Sequence, residues 1–197
     1  KNILCITGDS VKAGDQQDAK AVHQFESVRL LQQIQAFNKG IDPTFGELPD
    51  KKTFIFAGAA ADPSCKNQRS LENRIRKKKE AGAQFVQTQM IMERENLINF
   101  CETIAEPLEI PVIAGVFLLK SYKNALFINK YVPGANIPDN ILNRLKDSQR
   151  PLEEGIQIAA EQAQDFFNIA NGIHLMAVKA EHLIPEILEK ADLSLEY

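Results

Sequence analysis

The chain has 197 residues, enough for one domain with a sizeable core, and its 44% apolar and 25% charged residues are ordinary for a globular protein. A net charge of −3, from 23 basic and 26 acidic residues, removes any general electrostatic pull toward nucleic acid or an anionic membrane. The longest strongly apolar run, Ile110–Leu119, is about half the length a membrane span needs.

The chain opens on Lys1-Asn2-Ile3-Leu4-Cys5-Ile6, which reads as a strand and lacks the layout of a signal peptide, so a cytoplasmic location is expected. An opening inside a strand reads as the continuation of a longer chain. Apolar runs at Asn2–Thr7, Thr53–Ala57, Gln84–Thr88, Ile110–Val116 and Gly172–Met176 show no polar alternation, the pattern of strands covered on both faces. Helical spacing occupies the intervals: Phe25–Asn38, Ser70–Ala81 with Ser70 as a candidate cap, Glu93–Ala105, Tyr122–Lys130, Asp139–Lys146, Leu152–Asn168 and His182–Lys190. Regular alternation of strand and helix predicts an α/β fold built from βαβ units. A doubly wound sheet should carry a glycine-rich turn after its first strand. Gly8 and Gly14, with Lys12 between them, fit neither GxGxxG nor a phosphate-binding loop. A (β/α)8 barrel is therefore favoured, but five strands cannot close one of eight, so either three βα units are missing from this chain or the fold is an open sheet; residues 1–197 read as a single domain.

In a barrel, residues that end strands stand on the rim where active sites form. Asp9, after Ile6-Thr7-Gly8, is one such residue. Its carboxylate can shape the electronics of a cofactor ring or move a proton, and a plain Gly-Asp turn is the alternative. Gln89 follows the third strand, where its amide can hold a substrate through donor and acceptor together or can cap the next helix. Arg74, Arg76, Lys77, Lys78 and Lys79 form a basic run on a helix. Arg74 and Lys78 share a face and could hold a pyrophosphate, although a solvated face is the usual outcome for such a run. Gly58-Ala59-Ala60-Ala61-Asp62-Pro63 closes the second strand with small residues, which permit close approach of a ligand or of a helix. Cys5, Cys65 and Cys101 are widely spaced and odd in number, so reduced thiols are expected. His23, His174 and His182 do not cluster, and no metal site is expected.

Taken in order along the chain, these segments resemble methylenetetrahydrofolate reductases. The carrying stretches are Asn2–Asp9, Gly58–Pro63, Lys78-Lys79-Glu80-Ala81-Gly82-Ala83 and Thr88-Gln89. They continue with Pro111–Val116, Val132-Pro133-Gly134, Ile137-Pro138 and Gly172-Ile173-His174-Leu175-Met176. The resemblance implies a TIM barrel that binds FAD without a dinucleotide fingerprint, of which this chain supplies about the last five βα units. It implies that NAD(P)H reduces the flavin and that methylenetetrahydrofolate then takes its place and becomes methyltetrahydrofolate. A homo-oligomer or an electron-transfer partner is compatible with it. By matched position, Asp9 is the catalytic candidate beside the flavin's pyrimidine edge, and Lys78 serves the FAD phosphates. Thr7, Gly8, Gly58, Asp62 and Arg74 match other flavin-contacting positions. Gln89 matches the glutamine that contacts pterin or nicotinamide, and Asn124 a folate- or nicotinamide-side position. Met90-Ile91-Met92-Glu93 and Ala177-Val178-Lys179-Ala180 depart from the family's usual loops, both on the substrate side. The family's general-acid glutamate belongs to a strand that would precede Lys1. Two other readings follow from the same residues. One is a non-catalytic or regulatory flavin-binding relative; the other is a barrel enzyme whose Arg74 and Lys78 bind a substrate phosphate.

Overall fold

Strand and helix alternate in the computed structural model, which describes residues 1–8, 18, 20, 25–48, 52–132 and 134–193. The elements in chain order are β1 (Asn2–Cys5), α1 (Ser27–Asn38), the short strands β2 (Ile41–Asp42) and β3 (Gly46–Glu47), β4 (Phe56–Ala61) and α2 (Gln68–Glu80). Then come β5 (Phe85–Met90), α3 (Arg94–Phe100) with a π-helical turn at Cys101–Ala105, β6 (Val112–Phe117), α4 (Tyr122–Tyr131) and α5 (Asp139–Asp147). The last are α6 (Pro151–Phe167), β7 (Gly172–Met176) and α7 (Ile184–Lys190). The main sheet has five strands in the order β1-β4-β5-β6-β7, and every pair is parallel. Each strand therefore lies beside its predecessor in this sheet. The order lacks the reversal that defines a doubly wound sheet. No described helix is long and apolar enough to cross a membrane.

The two faces of the sheet differ because side chains alternate along each strand. Cys5, Ala57, Ala59, Ala61, Val86, Val112, Ala114 and Val116 point to one face. They share a core with Leu31 of α1, Leu71 and Ile75 of α2, Phe100 of α3, Phe166 of α6 and Ile187 of α7. Burying a side chain such as Phe100 or Phe166 contributes about 1.5–3 kcal/mol. The other, inner face carries Leu4, Phe56, Phe85, Gln87, Ile113 and His174. Phe56 stacks on Phe85 with ring centroids 5.3 Å apart, yet Phe56 is 44% exposed. A second apolar cluster joins α4, α5 and α6 to the segments after β5 and β6, through Met92, Leu119, Ala125, Ile128, Ile141, Leu145 and Ile158.

α6 starts with Pro151 in its first turn and has Glu153 and Glu154 there too, which suits the missing amide partners and the positive end of the helix dipole. Its Gly155 lies against the backbone of Leu119, and a Cβ at that position would overlap the Leu119 carbonyl oxygen. This close approach sets the distance between α6 and the segment that follows β6.

The strands lie near the expected runs, with one displacement that matters. The second apolar run predicts a strand over Thr53–Ala57, but β4 occupies Phe56–Ala61, so Gly58-Ala59-Ala60-Ala61 lies within the strand instead of closing it. Small residues have weak strand propensity, yet Ala57, Ala59 and Ala61 are the side chains over which the helices pack, and packing outweighs propensity. Asn67, not Ser70, caps α2, its side chain accepting from the Ser70 amide at 2.9 Å. The β2–β3 hairpin has no counterpart in the apolar pattern. Its signal is turn chemistry, since Asp42 Oδ1 accepts from the amides of Thr44 at 2.7 Å and Phe45 at 3.1 Å.

Candidate functional site

The C-terminal ends of β4 and β5 frame a cleft of about 150 Å³ lined by Ala60, Ala61, Asp62, Leu71, Arg74, Ile75, Lys78 and Gln89. Four residues singled out from sequence, Asp62, Arg74, Lys78 and Gln89, thus meet in one place. Lys78 reaches it from α2, where it follows Arg74 by one turn. Its ammonium donates to the Ala60 carbonyl at 2.7 Å. Burial, and secondarily the Arg74 guanidinium, push the Lys78 pKa below its ordinary value of 10.5. A half-buried cation whose charge is disfavoured by its surroundings is poised to gain from an anion. Lys79 behaves differently, because its ammonium is bound at 2.7 Å to the Glu109 carbonyl in the turn before β6.

Arg74 donates to the Cys65 sulfur at 3.1 Å. It also lines a neighbouring trough of about 350 Å³ with Asn67, Arg69, Ser70, Asn73 and Lys77. The cleft therefore adjoins a basic surface at the start of α2, and the two share Arg74. Asp62 follows β4 directly. Its Oδ1 accepts from the Ser64 amide at 3.0 Å, and Gly134 stands close to its Oδ2.

Gln89 lies within β5, not after it, next to an irregularity in the ladder. Gln87 pairs with Ile113 and Met90 with Gly115, so β5 spends an extra residue against β6. The Thr88 hydroxyl accepts from the Gly115 amide at 2.8 Å and donates to the Gln89 carbonyl at 2.7 Å, replacing bonds the bulge breaks. A Cβ on Gly115 would stand 2.6 Å from the Gln89 carbonyl oxygen, so the bulge requires glycine there. Gln89 is exposed at the cleft wall. It does not cap α3, whose N-cap is Glu93.

The other described candidates, Thr7, Gly8, Gly58 and Asn124, do not line the cleft. The Thr7 hydroxyl accepts from the Ser27 amide at 3.2 Å, which ties the end of β1 to the start of α1. Gly8 follows it at the surface, and Asp9 lies outside the described residues. Gly58 is buried within β4 under the Phe85 ring. Asn124 belongs to the sector after β6. Ser121 caps α4 by accepting from the Asn124 amide at 3.1 Å, and Asn124 Oδ1 accepts from the Lys120 amide at 3.1 Å. This near-reciprocal cap fixes the orientation of the Asn124 side chain and occupies one lone pair of its Oδ1. The Lys120 ammonium in turn holds the Val178 carbonyl at 2.9 Å, joining the segments after β6 and β7. Sequence reasoning passed over Asn67, Arg69 and Asn73 in the trough, and the Gln87–His174 pair on the inner face. Polar residues in an otherwise apolar strand were the available signal for that pair. Among the described residues no three His, Cys, Asp or Glu side chains come together as a metal site would need.

Comparison with known proteins matches residues 1–192 to the family model described as methylenetetrahydrofolate reductase. Methylenetetrahydrofolate reductase 2 of Saccharomyces cerevisiae is 29% identical over 125 residues, covering 60% of this chain and 20% of the yeast protein. A Clostridium thermocellum protein, described as binding two copies of 5-methyl-5,6,7,8-tetrahydrofolic acid, superposes with a TM-score of 0.54 at 18% identity. That match covers 70% of this chain and 52% of the other, and at this identity it speaks for the fold alone. The chain thus spans about a fifth of the yeast relative's length and about half of the structural neighbour's.

Proposed function

Since the chain belongs to the methylenetetrahydrofolate reductase family, we propose that it works within an enzyme that reduces 5,10-methylenetetrahydrofolate to 5-methyltetrahydrofolate with hydride drawn from NAD(P)H. The observation that carries this reading is the cleft itself, where Lys78 and Arg74 stand together beside Asp62 and Gln89 at the ends of parallel strands. The donor set fits FAD. A desolvated lysine and a guanidinium suit a pyrophosphate, and the small wall at Ala60 and Ala61 allows close approach. When bound, the flavin supplies the hydride relay. The chain's own residues then have distinct tasks. Lys78 and Arg74 hold the phosphates, with the basic trough of Arg69 and Lys77 extending their field. Gln89 offers donor and acceptor to the pterin or the nicotinamide, and the Asn124 NH2 binds on the same substrate side. Thr7, Gly8 and Gly58 act through backbone and shape. Asp9 is the residue proposed to sit by the flavin, where a fixed negative charge favours a cationic folate.

We further propose a (β/α)8 barrel as the complete architecture. Its support is a sheet without reversal, edges at β1 and β7 that no other described strand pairs with, and an inner face still exposed at Phe56; further βα units would cover both edges and that face. The test follows the bound flavin anaerobically in the full-length protein. Bleaching by NADH or NADPH and recovery on adding methylenetetrahydrofolate are expected. Bleaching without recovery would replace this reading with the flavin-binding relative that has lost folate turnover. Absence of flavin would refute both.

A further inference from the structure

On the inner face of the sheet, Gln87 of β5 and His174 of β7 reach toward each other across β6, and the Gln87 amide nitrogen meets His174 Nδ1 at 2.8 Å. The intervening strand permits this because the β6 residue paired with His174 is Gly115, which has no side chain to stand between them. With the Gln87 amide oriented so that its nitrogen faces the ring, Nδ1 accepts and the ring proton resides on Nε2. That Nε2–H has no protein acceptor among the described residues.

The surroundings are unusual for a barrel interior, which is normally filled by bulky branched side chains. The β4 partner of Gln87 is Ala60, and a Cβ on Gly172 would meet nothing within 4 Å, whereas Gly58, earlier on the same face, is covered by the Phe85 ring. Small residues thus flank a half-buried polar pair and leave a shallow floor beside Ala60, the residue that also lines the Lys78 cleft. A flat ring with polar edges suits such a floor. The Gln87 bond occupies Nδ1 and leaves Nε2–H free to donate outward from a half-buried ring.

We infer that His174, its tautomer set by Gln87, is a further ligand-binding residue of this site, donating from Nε2 to the acceptor edge of a pyrimidinone ring laid on the inner sheet face. The inference rests on the function proposed above, since flavin and pterin both carry such a ring. Gln87 is a positioning residue, and it acts only through His174.

The test compares His174→Leu with His174→Gln in the full-length, flavin-loaded protein, because the glutamine side-chain nitrogen can stand where Nε2 does. His174→Leu weakens the ligand roughly three- to tenfold, the size of one lost neutral hydrogen bond, and His174→Gln recovers most of the loss. Gln87→Leu produces a smaller change in the same direction. If the ring is the pterin, KM for methylenetetrahydrofolate rises while KM for NAD(P)H and the flavin absorption bands stay in place. If it is the flavin, those bands shift and FAD dissociates more readily. A His174→Leu protein with a lower melting temperature but unchanged KM values, flavin bands and FAD affinity overturns the inference and leaves the proposed function standing. Equal losses in the leucine and glutamine variants also overturn it. A wild-type protein that binds neither flavin nor folate overturns both readings.

Discussion

Replacing Lys78 by methionine separates binding from folding, because the structure assigns the charge opposite effects on the two. The Lys78 ammonium already spends one of its protons on the Ala60 carbonyl, so at most two remain for a ligand. One charge-assisted contact is worth ~1.5–3 kcal/mol, which translates to roughly ten- to a hundredfold in FAD affinity. In the ligand-free protein the balance differs. The folded-state pKa lies below 10.5, so the charged form is disfavoured by folding; this cost is full at neutral pH, begins to fade as pH reaches the lowered value and is gone above 10.5. Methionine keeps the aliphatic stem and drops the charge. Lys78→Met is therefore expected to leave the melting temperature of the apoprotein unchanged or raised while FAD dissociation accelerates. Binding of a phosphate needs the ammonium, so FAD affinity of the wild type should fall with alkaline pH, beginning below the usual lysine range. The variant should lack that limb. Release of FAD is followed by its fluorescence across pH, with Lys79→Met as the control whose ammonium is engaged at Glu109. The reasoning is refuted if the two variants hold FAD equally well, or if Lys78→Met lowers apoprotein stability by as much as it weakens FAD.

Two substitutions probe the scaffold behind the site. Gly155→Ala puts a methyl group into the Leu119 carbonyl, and overpacking of this kind costs about 1–3 kcal/mol. For a domain of this size that is a fall of roughly 3–9 °C in melting temperature by calorimetry, and no change would mean that α6 moves away freely. Thr88→Val keeps the shape but leaves the Gly115 amide without its acceptor inside the bulge, for a loss of about 1–3 kcal/mol in urea unfolding. Thr88→Ser should restore most of it, and a valine variant as stable as wild type would show that the bulge does not depend on the hydroxyl.

The order of the elements was legible in the amino-acid sequence because its signals are local. Uninterrupted apolar runs marked the strands of a covered parallel sheet, and helical spacing filled the intervals. The position of Lys78 one turn after Arg74 followed from helix geometry alone. The family was legible too, because the resemblance rests on short segments in a fixed order and not on any single motif. Asp9, the residue of greatest chemical interest in that resemblance, lies outside the described residues.

What the tertiary structure decided was everything that depends on two distant segments meeting. Gly58-Ala59-Ala60-Ala61 has the composition of a loop, and it is a strand because helices need its small side chains to pack closely. Helix periodicity puts Lys78 on the face of Arg74, but only the packing of α2 sends its ammonium to the end of β4 and that of Lys79 to the turn before β6. Gly115 looks like any strand glycine until the bulge in β5 brings the Gln89 carbonyl against it. Gln87 and His174 are 87 residues apart, and no local pattern pairs them. Propensity and periodicity act over a few residues, whereas these contacts depend on strand register, which is settled only when the whole sheet is assembled.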